Sequence, residues 1–388
     1  ERVGVVVPAE EHLALARRHE LALEHELAQL QPVDAREQRQ LRLDHVEHLR
    51  DGLGPREPGE LPREQRLVGA LSLIEGKLRE VEEELERRTR SDVATISLIG
   101  EYLVDGGGKR IRPALLLLAS RLLGYSGPVD VKYAAVLELI HTATLVHDDI
   151  IDGADTRRGR VSVNRRWGNE LTVLFGDYLY MKGMKVALEE GDVRVLDLLA
   201  DVTLAMTEGE ILGAERRGSL DLTIDDYLDV VRRKTALLFA AACRIPAFLV
   251  RGTEAHGEAL WGFGLALGTA FQLQDDLLDY TASEEELGKP VLSDLREGKL
   301  TLPLILSLPD ATPAERSMVE TVMREKGFVS VPVTAILGIV ERLGALEKAR
   351  KIVETHASRA RELALTLPAT DARDALLLAA EYAANRRK

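Results

Sequence analysis

Two stretches of the sequence share a D-D-x-x-D spacing. "HDDIID" supplies Asp148, Asp149 and Asp152, and "QDDLLD" supplies Asp275, Asp276 and Asp279. On a helix, residues four apart share a face, so Asp148 lies beside Asp152 and Asp275 beside Asp279. Like charges so placed destabilise a bare helix, and an apolar helix that carries them into a protein interior adds a desolvation cost. Hard divalent cations offset both. Magnesium takes oxygen ligands, keeps part of its water, and bridges one or two carboxylates to the oxygens of a substrate phosphate. A solvated acidic helix end would explain one copy. It does not explain two, each behind an apolar run and each followed by basic residues. By contrast, "IDDYLD" (224–229) and "EEEL" (284–287) lack the apolar lead-in and read as a helix cap region and a solvated loop.

Four basic patches supply the charge that a phosphorylated substrate needs. "DGGGKRIRP" (105–113) sets three glycines ahead of Lys109 and Arg112, where the backbone can approach a ligand and an arginine can grip phosphate with two nitrogens. "DTRRGR" (155–160) puts Arg157 and Arg158 directly behind the first acidic motif. "RRKTA" (232–236) offers Lys234 and Thr235 within a helix otherwise rich in Ala and Leu, and "GKPVLSDLREGKLTLP" (288–303) offers Lys289, Asp294 and Lys299. His141 precedes Asp148 by two helical turns on roughly the same face and is a candidate phosphate donor, whereas His147 reads as structural. Gln272, three residues before Asp275, can present its amide near reacting carbons.

These residues have to be held by helices. Leu and Ala are abundant and aromatics make up 4% of the 388 residues, which favours helix-on-helix packing. Apolar residues three and four apart predict helices over 71–90, 113–124, 131–152, 171–190, 193–217, 225–250, 256–280, 301–308, 313–326, 332–342, 344–366 and 370–385. No alternating strand is evident, so the expected fold class is all-α, one large helical domain over 67–388. Residues 1–66, ending in the Gly- and Pro-rich "DGLGPREPGELPREQ", read as a separate N-terminal extension with little apolar material to bury. A helical appendage, a loosely ordered arm and a start assigned too early all remain open for it.

The formal charge of −13 argues against nucleic acid as a partner and against bulk attraction to anionic lipid. Cys243 is the single cysteine, which excludes an internal disulfide and fits a reducing compartment. The apolar stretch 259–274 is short for a membrane span and ends in Asp275–Asp276, so a buried core helix is expected instead. With no signal-peptide pattern at the start, the expected location is cytoplasmic.

From about Leu67 to Lys388 the chain resembles the trans-type polyprenyl diphosphate synthases. The resemblance rests on "GGKRIRP", "HTATLVHDDIID", "RRG", "FGDYLY", "RRKTA", "FQLQDDLLD" and "GKP…SDLREGKLTLP". It implies an isoprenoid-synthase fold, a large helical bundle around a deep central cavity. The implied reaction is head-to-tail condensation of isopentenyl diphosphate onto an allylic diphosphate, with magnesium, three ions per site once diphosphate is bound. Carried over by position, Asp148, Asp152 and Asp275 bind metal, supported by Asp149, Asp276 and Asp279. Lys109, Arg112, His141 and Arg158 hold isopentenyl diphosphate, while Arg157, Lys234 and Lys289 grip the allylic diphosphate, with Lys299 as a further contact. Thr235 and Gln272 stabilise the carbocation. A homodimer is implied, and a very apolar product implies transient membrane contact on release. The basic "NRRK" terminus (385–388) has two readings, a flap over the site and a frayed tail.

In this family the residues just before the first acidic motif form a floor for the growing chain. Here they are Ala143 and Thr144, neither aromatic. Five residues of helix rise about 7.5 Å, so a small pair leaves room for a product of about six to ten isoprene units, a quinone side-chain precursor. Ala143→Phe is expected to shorten it. The alternatives are a short-chain synthase making geranylgeranyl or farnesyl diphosphate, a terpene cyclase, and a non-catalytic partner subunit. The cyclase is disfavoured by the intact "GGKRIRP", the partner subunit by two complete acidic motifs.

Overall fold

The structure, a computed structural model, describes residues 63–388 apart from 158, 252, 283–289 and 387–388. Arg158, Lys289, the "EEEL" loop and the extension up to residue 62 therefore lie outside the described residues. The helices are α1 (Arg63–Ser72), α2 (Glu75–Thr89), α3 (Ala94–Asp105), α4 (Ile111–Leu122), α5 (Val129–Ile151), α6 (Val163–Trp167), α7 (Asn169–Glu190) and α8 (Val193–Glu215). Then come α9 (Ile224–Val231), a π-helical segment (Arg232–Ala236), α10 (Leu237–Leu249), α11 (Glu254–Thr281), α12 (Ser293–Arg296) and α13 (Leu302–Ser307). The chain closes with α14 (Pro313–Glu325), α15 (Val333–Arg342), α16 (Ala345–Leu365) and α17 (Asp371–Asn385).

The all-α expectation holds, with three local departures. The helix expected over 71–90 breaks at Leu73 and Ile74 into α1 and α2. The helix expected over 225–250 contains the π-helical turn. A minimal hairpin, β1 (Thr156–Arg157) and β2 (Arg160–Val161), pairs Arg157 with Arg160 around Gly159, whose φ of +74° suits glycine.

Two apolar cores position the site. The larger joins α1–α8, α10, most of α11, the end of α16 and α17; the smaller joins the end of α11 with α9 and α12–α16. Helix α5 is the central post, with Val131 and Tyr133–Leu137 buried, and Leu139 and Ile140 beyond them. It meets α7 where glycines let the helices close: Gly183 lies against the Val136 carbonyl and Ile140, and Gly176 leaves room for the His147 ring. His147 Nε2 lies 3.1 Å from the Val173 carbonyl oxygen, in keeping with its structural reading.

The α10–α11 seam is tighter still. A Cβ at Gly264 would lie 2.6 Å from the Phe239 carbonyl oxygen, and one at Gly268 would lie 2.8 Å from Ala236 Cα. Both contacts are backbone, which cannot swing aside. Gly264→Val is therefore expected to destabilise the fold by about 3 kcal/mol or more, the cost of forcing packed helices apart. Urea titration of the variant checks this; an unchanged midpoint would show that the seam yields.

The stretch 259–274 is part of buried α11, and Leu260, Phe263 and Ala270 are inaccessible. Among the described residues no helix is long and apolar enough to cross a membrane. Cys243 is buried in α10, and burial pushes its thiol well above the usual range, so it is inert.

Candidate active site

The C-terminal end of α5 presents the first acidic motif. Asp152 caps the end of α5, and Gly153, at φ +65°, turns the chain into the hairpin. Asp148 is recessed beside Lys234, Glu210 and Asp152. Burial pushes its carboxyl up to about 6, and Lys234 only partly opposes this. The ionised form is thus held where it is electrostatically costly, the condition a cation relieves. Asp152 differs. Burial alone would raise it, but Lys299, Lys234 and Arg217 hold it below the usual carboxylate range. Lys299 Nζ lies 2.8 Å from Asp152 Oδ2, and Arg217 Nη2 lies 3.1 Å from Oδ1.

Lys234 comes to this cluster on the π-helical turn. Gly209 of α8 makes that approach possible, since a Cβ there would sit 2.7 Å from Arg233 Cβ and 3.1 Å from the Lys234 nitrogen. Lys234 Nζ pairs with Glu210 at 2.6 Å. The next residue, Thr235, donates its hydroxyl to Gln272 Oε1 at 2.9 Å. The "RRKTA" turn thus sets one side chain in the field of the first acidic motif and bonds the next to Gln272, which in turn bonds Asp276 of the second. π-turns of this kind concentrate at functional sites.

The second motif is not a copy of the first in space. Asp275 stays half-exposed, 48% by side chain, and pairs with Arg386. Asp276 is buried and accepts from the Tyr227 hydroxyl at 2.5 Å and from Gln272 Nε2 at 2.8 Å. Asp279, 1% exposed, spends both oxygens on the returning loop: Oδ1 accepts from Ser293 Oγ at 3.0 Å and Oδ2 from the Asp294 amide at 3.2 Å. Asp276 and Asp279 were expected to support metal. The structure engages their oxygens within the protein: Tyr227 and Gln272 take those of Asp276, and the loop that brings Lys299 back takes those of Asp279.

In "GGKRIRP", Arg110 sits at φ +46° ahead of α4 and turns inward to Glu82 and Glu138, at 2.5 and 2.8 Å. Arg112 lies over the Phe239 ring at 4.7 Å, and its Nε is buried without a hydrogen-bond partner. Burial pulls its guanidinium down to about 10, Glu138 opposing. A recessed cation with an unmet donor suits an anionic ligand. Lys109 is exposed on the loop and His141 half-buried on the Asp148 face of α5.

Arg157 shares a cleft with Gly107 and Arg110 of this group. Its Nε pairs with Asp149 at 2.6 Å, and both line that cleft with Tyr102, Glu138 and Thr142. Asp149 lies about 100° round α5 from Asp148, so this cleft is a different flank of the helix. Tyr102 anchors the hairpin there, donating to the Val161 carbonyl at 2.7 Å and lying beneath the Arg160 guanidinium at 4.0 Å. The basic terminus is docked as far as Arg386, which is buried on Asp275 and the Phe271 ring.

Sequence reasoning missed Glu210, Arg217 and Tyr227. Glu210 carried one signal: Gly209 inside a helical pattern marks a close approach. The other two are tertiary partners with no local signature.

Among the described residues no three acids, histidines or cysteines gather closely enough to cage a metal alone. The donor set instead fits a cation held by one or two carboxylates and completed by substrate phosphate oxygens.

Residues 93–335 match the family model described as Polyprenyl synthetase. Over 296 residues the chain is 40% identical to octaprenyl diphosphate synthase of Escherichia coli strain K12, covering 76% of this chain and 91% of that one. Among solved structures, the polyprenyl synthase of Caulobacter crescentus complexed with calcium and isoprenyl diphosphate superposes with a TM-score of 0.78 at 36% identity. That match covers 86% of this chain and 100% of the other. A decaprenyl diphosphate synthase of Rhodobacter capsulatus superposes at 0.77 and 35%, covering 84% and 100%. This chain belongs to the polyprenyl synthetase family. It is a prenyltransferase with the all-α isoprenoid-synthase fold.

Proposed function

We propose that the protein is a magnesium-dependent synthase of long-chain all-trans polyprenyl diphosphates. It condenses isopentenyl diphosphate with an allylic diphosphate to about six to ten isoprene units, a length that the small Thr144 on the Asp148 face of α5 leaves open about 6 Å along the helix. The observation that carries this reading is the π-helical turn, whose Lys234 charge acts on Asp148 and whose Thr235 bonds Gln272. The similarity to octaprenyl and decaprenyl synthases supports the long product, and a quinone side chain is the use that length suits.

Asp148, Asp152 and Asp275 would hold magnesium together with the allylic diphosphate, and the bound metal would supply positive charge to the leaving group. Lys234 and Lys299, now balancing Glu210 and Asp152, turn to the diphosphate as it binds. The C–O bond breaks, and the electron pair leaves with diphosphate. The Thr235 hydroxyl oxygen and the Gln272 carbonyl face the allylic cation that remains. Lys109, Arg112 and His141 orient isopentenyl diphosphate so that its terminal alkene carbon forms the new C–C bond. The proton then lost goes to the departing diphosphate. Exclusion of water keeps the cation from being quenched.

A second copy of the chain is the expected partner. Leu171, Leu174, Met181 and Leu188 of α7, with Leu204 and Ile211 of α8, are exposed at helical spacing, and a face of this kind marks an interaction surface. Light scattering behind size exclusion tests the dimer.

The test of function is a product assay with farnesyl diphosphate, labelled isopentenyl diphosphate and magnesium. The expected products end between C30 and C50, about six to ten five-carbon units by the same rise argument, and chelation abolishes them. A stop at C20 would favour a short-chain synthase, and activity that survives chelation would overturn the metal assignment.

A further inference from the structure

A chain of hydrogen bonds runs from α9 through the second acidic motif to the π-helical turn. The Tyr227 hydroxyl donates to Asp276 Oδ2 at 2.5 Å. Asp276 Oδ1 accepts from Gln272 Nε2 at 2.8 Å, and Gln272 Oε1 accepts from the Thr235 hydroxyl at 2.9 Å. The direction of the Gln272 amide follows from chemistry alone. A carboxylate can only accept, so the amide NH₂ must face Asp276 and the carbonyl must face Thr235.

Both Tyr227 and Asp276 are buried, so bulk water is poorly placed to replace either bond. Burial and Asp276 hold the Tyr227 phenol well above its ordinary range, so it remains a donor at any working pH. Tyr227 belongs to α9, which runs without a break into the turn that carries Lys234 and Thr235. One element therefore supplies both ends of the hydrogen-bond chain.

We propose that Tyr227 is a positioning residue: acting through Asp276, it fixes the Gln272 amide so that its carbonyl and the Thr235 oxygen face the allylic cation. This rests on the reaction proposed above and goes further in assigning Asp276 to orientation of the amide. Without the phenol, Asp276 keeps a buried oxygen with one donor fewer, and its carboxylate is free to draw the amide out of line. A residue that packed only through its ring would be replaced by phenylalanine without consequence.

The experiment is a double-mutant cycle with steady-state kinetics. Tyr227→Phe is expected to lower kcat by about 10- to 100-fold, the usual effect of removing an outer hydrogen-bond partner, with KM for isopentenyl diphosphate changed less than about twofold. Gln272→Ala loses at least as much, and the double variant loses no more than Gln272→Ala alone, because the tyrosine acts only through the amide. Manganese binding in the presence of inorganic diphosphate, measured by calorimetry, is the same for Tyr227→Phe and wild type. Should Tyr227→Phe fail to fold, the Asp276 variants carry the test. Asp276→Asn keeps an acceptor for the amide and retains activity within about tenfold, whereas Asp276→Ala falls to the level of Gln272→Ala.

A wild-type kcat in Tyr227→Phe overturns the proposal, as does a full further loss in the Gln272→Ala background. A manganese affinity that falls in step with kcat overturns it too. A wild-type protein that elongates no primer overturns the parent reading, and this one with it.

Discussion

Asp148→Asn is expected to lower turnover by about 10²- to 10³-fold, the scale on which a group acting on transition-state charge is lost, while raising the thermal midpoint of the metal-free protein. The two effects have one cause. Burial pushes the Asp148 carboxyl up to about 6, above the 3.8 it has when solvated. A carboxyl raised on folding binds its proton more tightly in the folded state. Its contribution to stability is therefore full below about pH 4 and lost as the pH rises through about 6. At neutral pH the ionised carboxylate strains the site, and the isosteric amide removes that strain. Lys234 and partial solvent exposure moderate the gain, so a rise of about 1–3 °C is expected. Magnesium with inorganic diphosphate should raise the midpoint of wild type and leave the variant unmoved. Calorimetric melts at pH 7.5 and pH 4.5 check the sign, since the variant's advantage should shrink at the lower pH. A variant less stable than wild type at pH 7.5 would show that Asp148 is stabilised by its neighbours and is not poised for a cation.

What could be read from the sequence was whatever repeats locally. Helix α16 was expected over 344–366 and spans Ala345–Leu365; α11 was expected over 256–280 and spans Glu254–Thr281. Long amphipathic patterns fix such elements because each turn repeats the same apolar offset. The π-helical turn escaped because it alters no composition; it only shifts the offset for five residues. The hairpin escaped because two-residue strands show no alternation. The site divides in the same way. The acidic spacing identified the six aspartates and put Asp275 and Asp279 on one face, but it carried no sign of how differently the two are surrounded. Their separation, one half-exposed and one sealed, depends on residues 292–294 folding back over α11. Glu210 and Arg217 enter through contacts between helices distant in sequence, which no local pattern records.

Thr144→Phe is expected to shorten the product to about four isoprene units or fewer. Thr144 lies four residues before Asp148, about 6 Å along α5 and about 40° round it, so its side chain shares the face of Asp148, Asp152 and His141. A chain growing from the diphosphate along that face meets residue 144 first. Phenylalanine there loses the bond from Thr144 Oγ1 to the His141 carbonyl, 2.8 Å, which is local to the helix and cheap to remove. The first condensations should therefore continue at near wild-type rate. Ala143 is placed differently. It is 2% exposed and lies about 140° round from Asp148, on the arc of Val136, Ile140 and His147 that packs against α7. A phenylalanine at 143 gains room only by displacing α7, an overpacking cost of about 1–3 kcal/mol. Its expected signature is a lower thermal midpoint together with a smaller shortening than Thr144→Phe gives. Chromatography of dephosphorylated products from both variants decides the order. Equal product lengths for Thr144→Phe and wild type would place the growing chain on another face of α5. A larger effect at 143 would mean that the chain grows along the α5–α7 seam.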